Sequence, residues 1–225
     1  MYKLSGVTKN YYTGKRVVTA LQDVDLTIGD GEWLAVQGRT GHGKSTLLNI
    51  LGALDRPTSG TVEFAGQDLA ALPETRLTEV RANSIGFIFQ TFNLLPTLSA
   101  LENVEAALVP LEITSADRQR RATAALNDVG LGDRLRHLPT ELSGGQQQRV
   151  GIARALVKEP EVLLADEPTG NLDEDTRDEI IGLLETLWLE RGLTVVLITH
   201  DTTITQRAQR VAVMSNGHLS VTDAV

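Results

Sequence analysis

Eight consecutive residues, Gly38-Arg39-Thr40-Gly41-His42-Gly43-Lys44-Ser45, combine glycines with a lysine and a hydroxyl. Glycines let backbone N–H groups curl around an anion without side-chain interference. Trp33-Leu34-Ala35-Val36 reads as a buried strand just before this loop. Residues 44–51, with Leu47, Leu48, Ile50 and Leu51 apolar, read as a helix just after it. The helix adds its unsatisfied N–H groups and positive end to the same anion site. Strand, glycine loop and helix together make the P-loop pattern for the phosphates of a nucleotide. In that pattern Lys44 reaches the β- and γ-phosphates and the Ser45 hydroxyl is placed to ligand Mg²⁺. Arg39, Thr40, Gly41, His42 and Thr46 line the loop; the Arg39 side chain is read on its rim and the His42 imidazole as solvated. A chance glycine-rich turn is the plainer alternative, and the flanking strand and helix argue against it. The loop alone leaves open which kind of nucleotide enzyme this is.

A second group of reactive side chains stands further along. Asp166 and Glu167 end the apolar strand candidate 162–165. Strand ends are where ligands collect in open α/β sheets. Asp166 suits Mg²⁺, held through water, and Glu167 suits a general base that polarises an attacking water. An isolated Asp-Glu pair would read as surface carboxylates; following an apolar strand in a chain with a P-loop, it reads as functional.

These groups need a scaffold. Residues 23–28 alternate polar and apolar, as a strand with one wet face does, and Asp30-Gly31 marks a turn. Residues 61–64 and 85–89 are further strand candidates. Ser99 with Glu102, and Ser143 with Gln146, have capping-box spacing, predicting helices over 101–108 and from 144 to about 158; 116–129 is helical in composition. Ile180, Ile181, Leu184, Leu187 and Trp188 recur at helical spacing. The all-apolar run 193–199 predicts a strand covered on both faces. A last strand is expected over 210–215, with Asn216-Gly217 as a hairpin turn. The pattern is an α/β core into which a helical lobe, residues 91–154, is inserted.

Bulk properties bound the function. The chain has 225 residues and a net charge of −8, and no cysteine. Disulfides, zinc–thiolate sites and thiol chemistry are excluded. An acidic chain is a poor generic binder of nucleic acid or anionic lipid. Neither a signal segment nor an apolar run of membrane-spanning length is evident.

Further residues carry a resemblance. Leu142-Ser143-Gly144-Gly145-Gln146 looks like the signature sequence of ABC ATPases, in the expected order between P-loop and carboxylates. Gln90 resembles the Q-loop glutamine, Asn171-Leu172-Asp173 the D-loop, His200 the switch histidine, and Tyr11 the aromatic that stacks on adenine, with Tyr12 a competing candidate. Taken singly, Gln90 and Tyr11 read as an ordinary loop residue and a core residue; it is the joint order of the motifs that carries weight. Phe92-Asn93-Leu94-Leu95-Pro96, Leu101-Glu102-Asn103-Val104 and Ala165 through Asp173 are similar to a bacterial branch serving macrolide and peptide export, lipoprotein release and cell division. Arg39-Thr40 and His42 depart from that branch without removing a required group.

The resemblance implies a RecA-like P-loop core with an N-terminal antiparallel β subdomain and an inserted α-helical subdomain: residues 1–90 and 155–225 for the core and 91–154 for the lobe. It implies ATP and Mg²⁺ as ligands. Ser143, Gly144, Gly145 and Gln146 would cover the nucleotide of a second subunit in a head-to-tail homodimer. Glu167, His200, Lys44 and Gln90 would be catalytic, and Ser45, Gln90 and Asp166 would serve Mg²⁺. Phe92, Leu94 and Leu95 would anchor a separate membrane permease, or pack inside the lobe. The expected location is the cytoplasmic side of the plasma membrane. Competing readings are a DNA-acting ABC ATPase, disfavoured by the acidic charge and missing coiled coils; a signalling or cell-division ATPase that transports nothing; and an unrelated P-loop kinase, disfavoured by the signature residues and His200.

Overall fold

The computed structural model of the chain describes residues 1–14 and 16–223. In chain order the elements are β1 (Tyr2–Thr13), β2 (Arg16–Ile28), β3 (Trp33–Gln37), α1 (Lys44–Leu51), β4 (Ser59–Phe64), β5 (Gln67–Asp68), α2 (Glu74–Asn83), β6 (Ile85–Phe89) and α3 (Ala100–Glu105). They continue with α4 (Ser115–Asp128), α5 (Gly144–Leu156), β7 (Val162–Asp166), α6 (Glu174–Arg191), β8 (Thr194–Thr199), α7 (Thr202–Thr205), β9 (Arg210–Ser215) and β10 (His218–Asp223). The chain forms two compact units, Met1–Arg81 with Thr194–Val225, and Ala82–Leu193.

In the first unit an antiparallel sheet runs in the order β2-β1-β4-β5. One face is buried through Tyr2, Leu4 and Val7 of β1, Leu21, Val24, Leu26 and Ile28 of β2, and Val62 and Phe64 of β4. β2 starts at Arg16, well before the expected strand at 23. Toward the hairpin tip both faces are wet, so no apolar alternation marks that stretch in the sequence. The other strands are ordered β10-β9-β3-β8. β3 pairs parallel to β8 and β9, and its Trp33, Leu34, Ala35 and Val36 are fully buried. Such strands carry apolar side chains toward both faces, which is why 33–36 and 193–199 show no alternation. β9 turns into β10 through Asn216 and Gly217, both at positive φ (49° and 84°), the backbone a two-residue hairpin requires. The sequence reading stopped at β9 because β10 is half polar.

In the second unit β6 and β7 pair parallel, Ile85 against Val162 through Phe89 against Asp166. α3 packs on α4 and α5, and α5 on β6 and α6. Helix ends follow local chemistry. Ser99 and Glu102 cap α3 reciprocally, and the helix stops at Glu105 in a single tighter turn over 106–108. Asp173 accepts from the Thr176 N–H at the start of α6, and Gly192 (φ 62°) ends it. Each such cap contributes about 1 kcal/mol. Buried Asn103 donates to the carbonyls of Leu95, Leu98 and Ser99 and accepts from the Leu95 N–H, so one amide fixes the loop before α3.

Candidate functional site

The phosphate loop lies in the first unit. Its lysine is buried (6% exposed), with Nζ donating to the carbonyls of Gly38 at 2.7 Å and Arg39 at 3.2 Å. The ammonium is thereby folded across the mouth of the loop. Gly43 stands at φ 105°, and a Cβ there would fall 2.2 Å from the Ala20 carbonyl oxygen. A Cβ on Gly38 would fall 2.3 Å from that of Met214. No side chain larger than hydrogen fits at either place, so the loop can wrap tightly. The Gly217 N–H donates to the His42 carbonyl at 3.1 Å, and the Gln22 N–H to the Gly217 carbonyl at 2.8 Å. The β9–β10 turn therefore ties the loop to β2. α1 has neither an acidic residue in its first turn nor a side-chain cap at Gly43. Its first N–H groups remain for an incoming anion. Ser45, Arg39 and Thr40 are exposed, and His42 and Thr46 half-buried. A cradle of amides with a buried ammonium fits a polyphosphate.

Also in the first unit, Tyr11 and Tyr12 point to opposite faces of β1, as adjacent strand residues must. Tyr12 is 69% exposed. The Tyr11 hydroxyl donates to Asp55 Oδ2 at 2.9 Å, and the Lys9 ammonium lies 5.0 Å from its ring centre. Burial raises the Tyr11 phenol pKa; a hydrogen bond with Thr46 works against this, and the Asp55 carboxylate reinforces it. Of the two tyrosines, Tyr11 is the one held in place. His200 is exposed immediately after β8. Its neighbour Asp201 caps the short α7, accepting from the Thr203 N–H at 2.8 Å, and its own N–H donates to Thr199 Oγ1 at 3.0 Å.

The second unit carries the remaining candidates. Asp166 is the last residue of β7, and Glu167 follows it in the left-handed region at φ 45°. The Glu167 carbonyl accepts from the Gly170 N–H at 3.0 Å, closing a turn that leads to Asn171. The Asn171 amide donates to the Gln90 carbonyl at 3.0 Å, and the Gln90 amide donates to Asn171 Oδ1 at 3.4 Å. The structure thus brings together Gln90 and the segment after Glu167. Ser143 and Gln146 cap α5 reciprocally: Ser143 Oγ accepts from the Gln146 N–H at 3.3 Å, and Gln146 Oε1 from the Ser143 N–H at 2.9 Å. Gly145 is small for an internal reason, because its Cβ would meet Thr176 Cγ2 at 2.5 Å. At Gly145 the close approach is therefore to α6. Of the three apolar anchors, Leu95 is exposed (51%), whereas Phe92 and Leu94 are half-buried. Arg154 donates to the carbonyls of Phe92 and Asn93, both at positive φ. Sequence reasoning missed Gln148, which is fully buried and donates to the Pro168 carbonyl just past Glu167. A run of three glutamines hides which one is internal; its position on the α5 face shared with buried Ile152 was the available signal.

Among the described residues no three His, Cys, Asp or Glu cluster as a metal site. The Ser45 hydroxyl in the first unit and the Asp166 carboxylate in the second are each hard oxygen donors of the kind Mg²⁺ takes.

Residues 21–170 match the sequence profile of a family described as ABC transporter. The chain is 47% identical over 219 residues to YknY, an uncharacterized ABC transporter ATP-binding protein of Bacillus subtilis, covering 97% of this chain and 95% of that protein. It is 48% identical over 219 residues to the macrolide export ATP-binding/permease protein MacB 1/2 of Paracoccus denitrificans, covering 97% of this chain and only 33% of that longer protein. A solved structure of the ATP-binding cassette MJ0796, dimeric in a post-hydrolysis state with ADP and Pi, superposes with a TM-score of 0.92 at 42% identity, over 100% of this chain and 99% of that one.

Proposed function

The chain belongs to the ABC transporter family, and from that premise we propose that two copies pack head to tail, each signature helix closing over the γ-phosphate held in the other's loop. The chain is an ATP-binding, ATP-hydrolysing cassette of a transporter complex. The observation that carries the dimer reading is α5. Its N-terminus begins with two glycines and a completed capping box, yet the chain has a single P-loop to hold a nucleotide. A helix N-terminus of this kind suits an anion.

At the loop, the buried Lys44 and the open amides of α1 would hold the β- and γ-phosphates, with Gly38, Arg39, Thr40, Gly41, His42, Gly43 and Thr46 lining it. The Tyr11 ring would meet the adenine. Ser45, Gln90 and Asp166 would hold Mg²⁺, which when bound neutralises phosphate charge. Glu167 would take the proton of the attacking water, His200 would steady the γ-phosphate, and Ser143 with Gly144, Gly145 and Gln146 would close the site from the second copy. Gln90, joined to Asn171 and thus to the turn carrying Glu167, would report the state of the nucleotide. Residues 91–154 would be the helical subdomain and 1–90 with 155–225 the nucleotide-binding core; α3 and α4 fall wholly within the former.

The partner would be a separate integral-membrane permease that exports its cargo. In the macrolide exporter a cassette and a permease share one name, whereas no helix among the described residues here is long and apolar enough to cross a membrane. The cassette would sit at the cytoplasmic face of the plasma membrane. Exposed Leu95 and the nearby cavity of about 230 Å³, lined by Phe87, Phe89, Asn93, Arg154 and Lys158, offer an apolar and basic seat for the permease. No nucleic-acid partner is proposed, in keeping with the net charge of −8.

Glu167→Gln tests the reading. A general base contributes roughly 10²–10⁴ in rate, so ATPase should fall by about that factor while ATP binding persists. The trapped form should run as a dimer by light scattering with Mg-ATP and as a monomer without it. Wild-type turnover would remove Glu167 from its role, and a monomer with bound ATP would remove the dimer. Tagged Glu167→Gln with ATP should also capture a membrane protein from solubilised membranes.

A further inference from the structure

Tyr11 is the centre of a small network that the phosphate chemistry does not use. Asp55 Oδ2 accepts from its hydroxyl at 2.9 Å. Asp55 Oδ1 accepts from Lys9 Nζ at 2.5 Å and from the Arg56 N–H at 2.7 Å. Lys9 Nζ also donates to the Arg56 carbonyl at 2.7 Å and stands over the Tyr11 ring. The backbone on either side is fastened too. The Asn10 N–H donates to Thr58 Oγ1 at 2.9 Å, and the Thr58 N–H to the Thr8 carbonyl at 2.8 Å.

The carboxylate has a fixed origin. Beyond the last residue of α1, Ala53 adopts φ 53°, and the chain doubles back so that the Leu54 and Asp55 N–H groups both donate to the Asn49 carbonyl. The helix that starts at Lys44 in the phosphate loop therefore carries, at its far end, the group that sets Tyr11. Lys9 and Tyr11 are two residues apart on one strand and so share a face. Val18, directly across from Tyr11 on β2 and 44% exposed, shares it as well. The ammonium takes one side of the ring. The ring remains 38% exposed, more than an internal residue needs.

We propose that Lys9 and Asp55 are positioning residues for nucleotide recognition: they clamp the Tyr11 ring against the β1 face so that its uncovered side is presented as a rigid seat for the purine. This rests on the reading of Tyr11 as the adenine contact. A preset ring loses less freedom when the base arrives, and that saving appears as affinity. The hydrogen bonds from Lys9, Tyr11 and the Arg56 backbone outweigh burial and hold the Asp55 carboxyl below its ordinary range, so the clamp is charged at neutral pH.

The test compares a ligand with a base to one without. Titration calorimetry with ADP and with inorganic pyrophosphate, neither of which carries a γ-phosphate, is applied to Asp55→Asn, Lys9→Met, Tyr11→Phe and Tyr11→Ala. Tyr11→Ala should weaken ADP roughly 5- to 100-fold, the range for loss of a base–aromatic stack. Asp55→Asn, Lys9→Met and Tyr11→Phe should each weaken ADP roughly 3- to 10-fold by loosening the ring and leave pyrophosphate unchanged, and Asp55→Asn and Lys9→Met should cost nothing further in a Tyr11→Ala background. Parallel loss of both ligands would make Asp55 a plain tether of α1 and overturn the proposal. So would unchanged ADP affinity in the three milder variants, or a cost that adds to that of Tyr11→Ala. Tyr11→Phe keeps the ring and its packing, so it answers even if Asp55→Asn fails to fold. If Tyr11→Ala itself leaves ADP binding intact, the adenine reading fails; if it weakens ADP and the milder variants do not, only the clamp fails.

Discussion

Lys158 lies just past the end of α5, drawn in beside Phe87, Phe89 and Arg154, and burial pushes its ammonium from 10.5 down to about 8. Between about 8 and 10.5 the unfolded chain holds more protons at this group than the folded one, so folding stability rises with pH across that window. Below it the folded state carries a constant penalty for a partly dehydrated charge, on the order of 1–2 kcal/mol after allowance for solvent screening. Lys158→Met should therefore raise Tm at pH 7, and its advantage should shrink above pH 8 and vanish near 10.5. A difference that stays flat with pH would show that packing alone is responsible. At this scale the sequence was legible wherever one residue type does one job: the lysine of the loop, the serines of the two capping boxes, the asparagine-glycine turn. It was silent on Lys9, Asp55 and Gln148. Their partners lie 46, 44 and 20 positions away in sequence, and no local pattern announces a long-range hydrogen bond.

Among the elements, α5 shows how a motif proposed for binding also serves packing. Gly145 faces the Thr176 methyl on the first turn of α6, and a Cβ would intrude to 2.5 Å. Gly145→Ala should cost about 1–3 kcal/mol through overpacking. Thr176→Ser removes that methyl, keeps the hydroxyl that donates to Asp173 at 2.8 Å, and should restore most of the loss. Chemical denaturation of the two single variants and the double variant measures the coupling, and simple additivity would place the clash elsewhere. Helices with a buried stripe were legible; α6 carries Ile180, Ile181, Leu184 and Leu187 inward, with Trp188 only half-buried. α2 was not read, because it buries Leu77 alone and so has almost no apolar face. β1 escaped for another reason. Between Leu4 and Val7 it advances three residues against two of β2, and that bulge breaks the alternation by which a strand is recognised.

At the scale of the whole molecule, half of each proposed site belongs to another copy of the chain, and no single sequence states which copy. The head-to-tail arrangement makes a specific demand. Lys44→Ala spoils a phosphate loop and Ser143→Arg a signature helix, so each variant alone should be inactive. Mixed, they pair at random, and about half the dimers contain one whole site and one doubly broken site, giving roughly a quarter of wild-type ATPase. Mixtures no more active than their parts would show that loop and signature act within one chain. A last consequence follows from the backbone at Glu167. A side chain at φ 45° is strained by about 1–2 kcal/mol, and glycine or asparagine would relieve it at once. One position where the fold could become more robust at little cost is therefore the one proposed as the general base. If Glu167 has the proposed role, selection for endurance and selection for work pull this residue in opposite directions, and a lineage released from the second would be expected to silence its enzyme before it lost its shape.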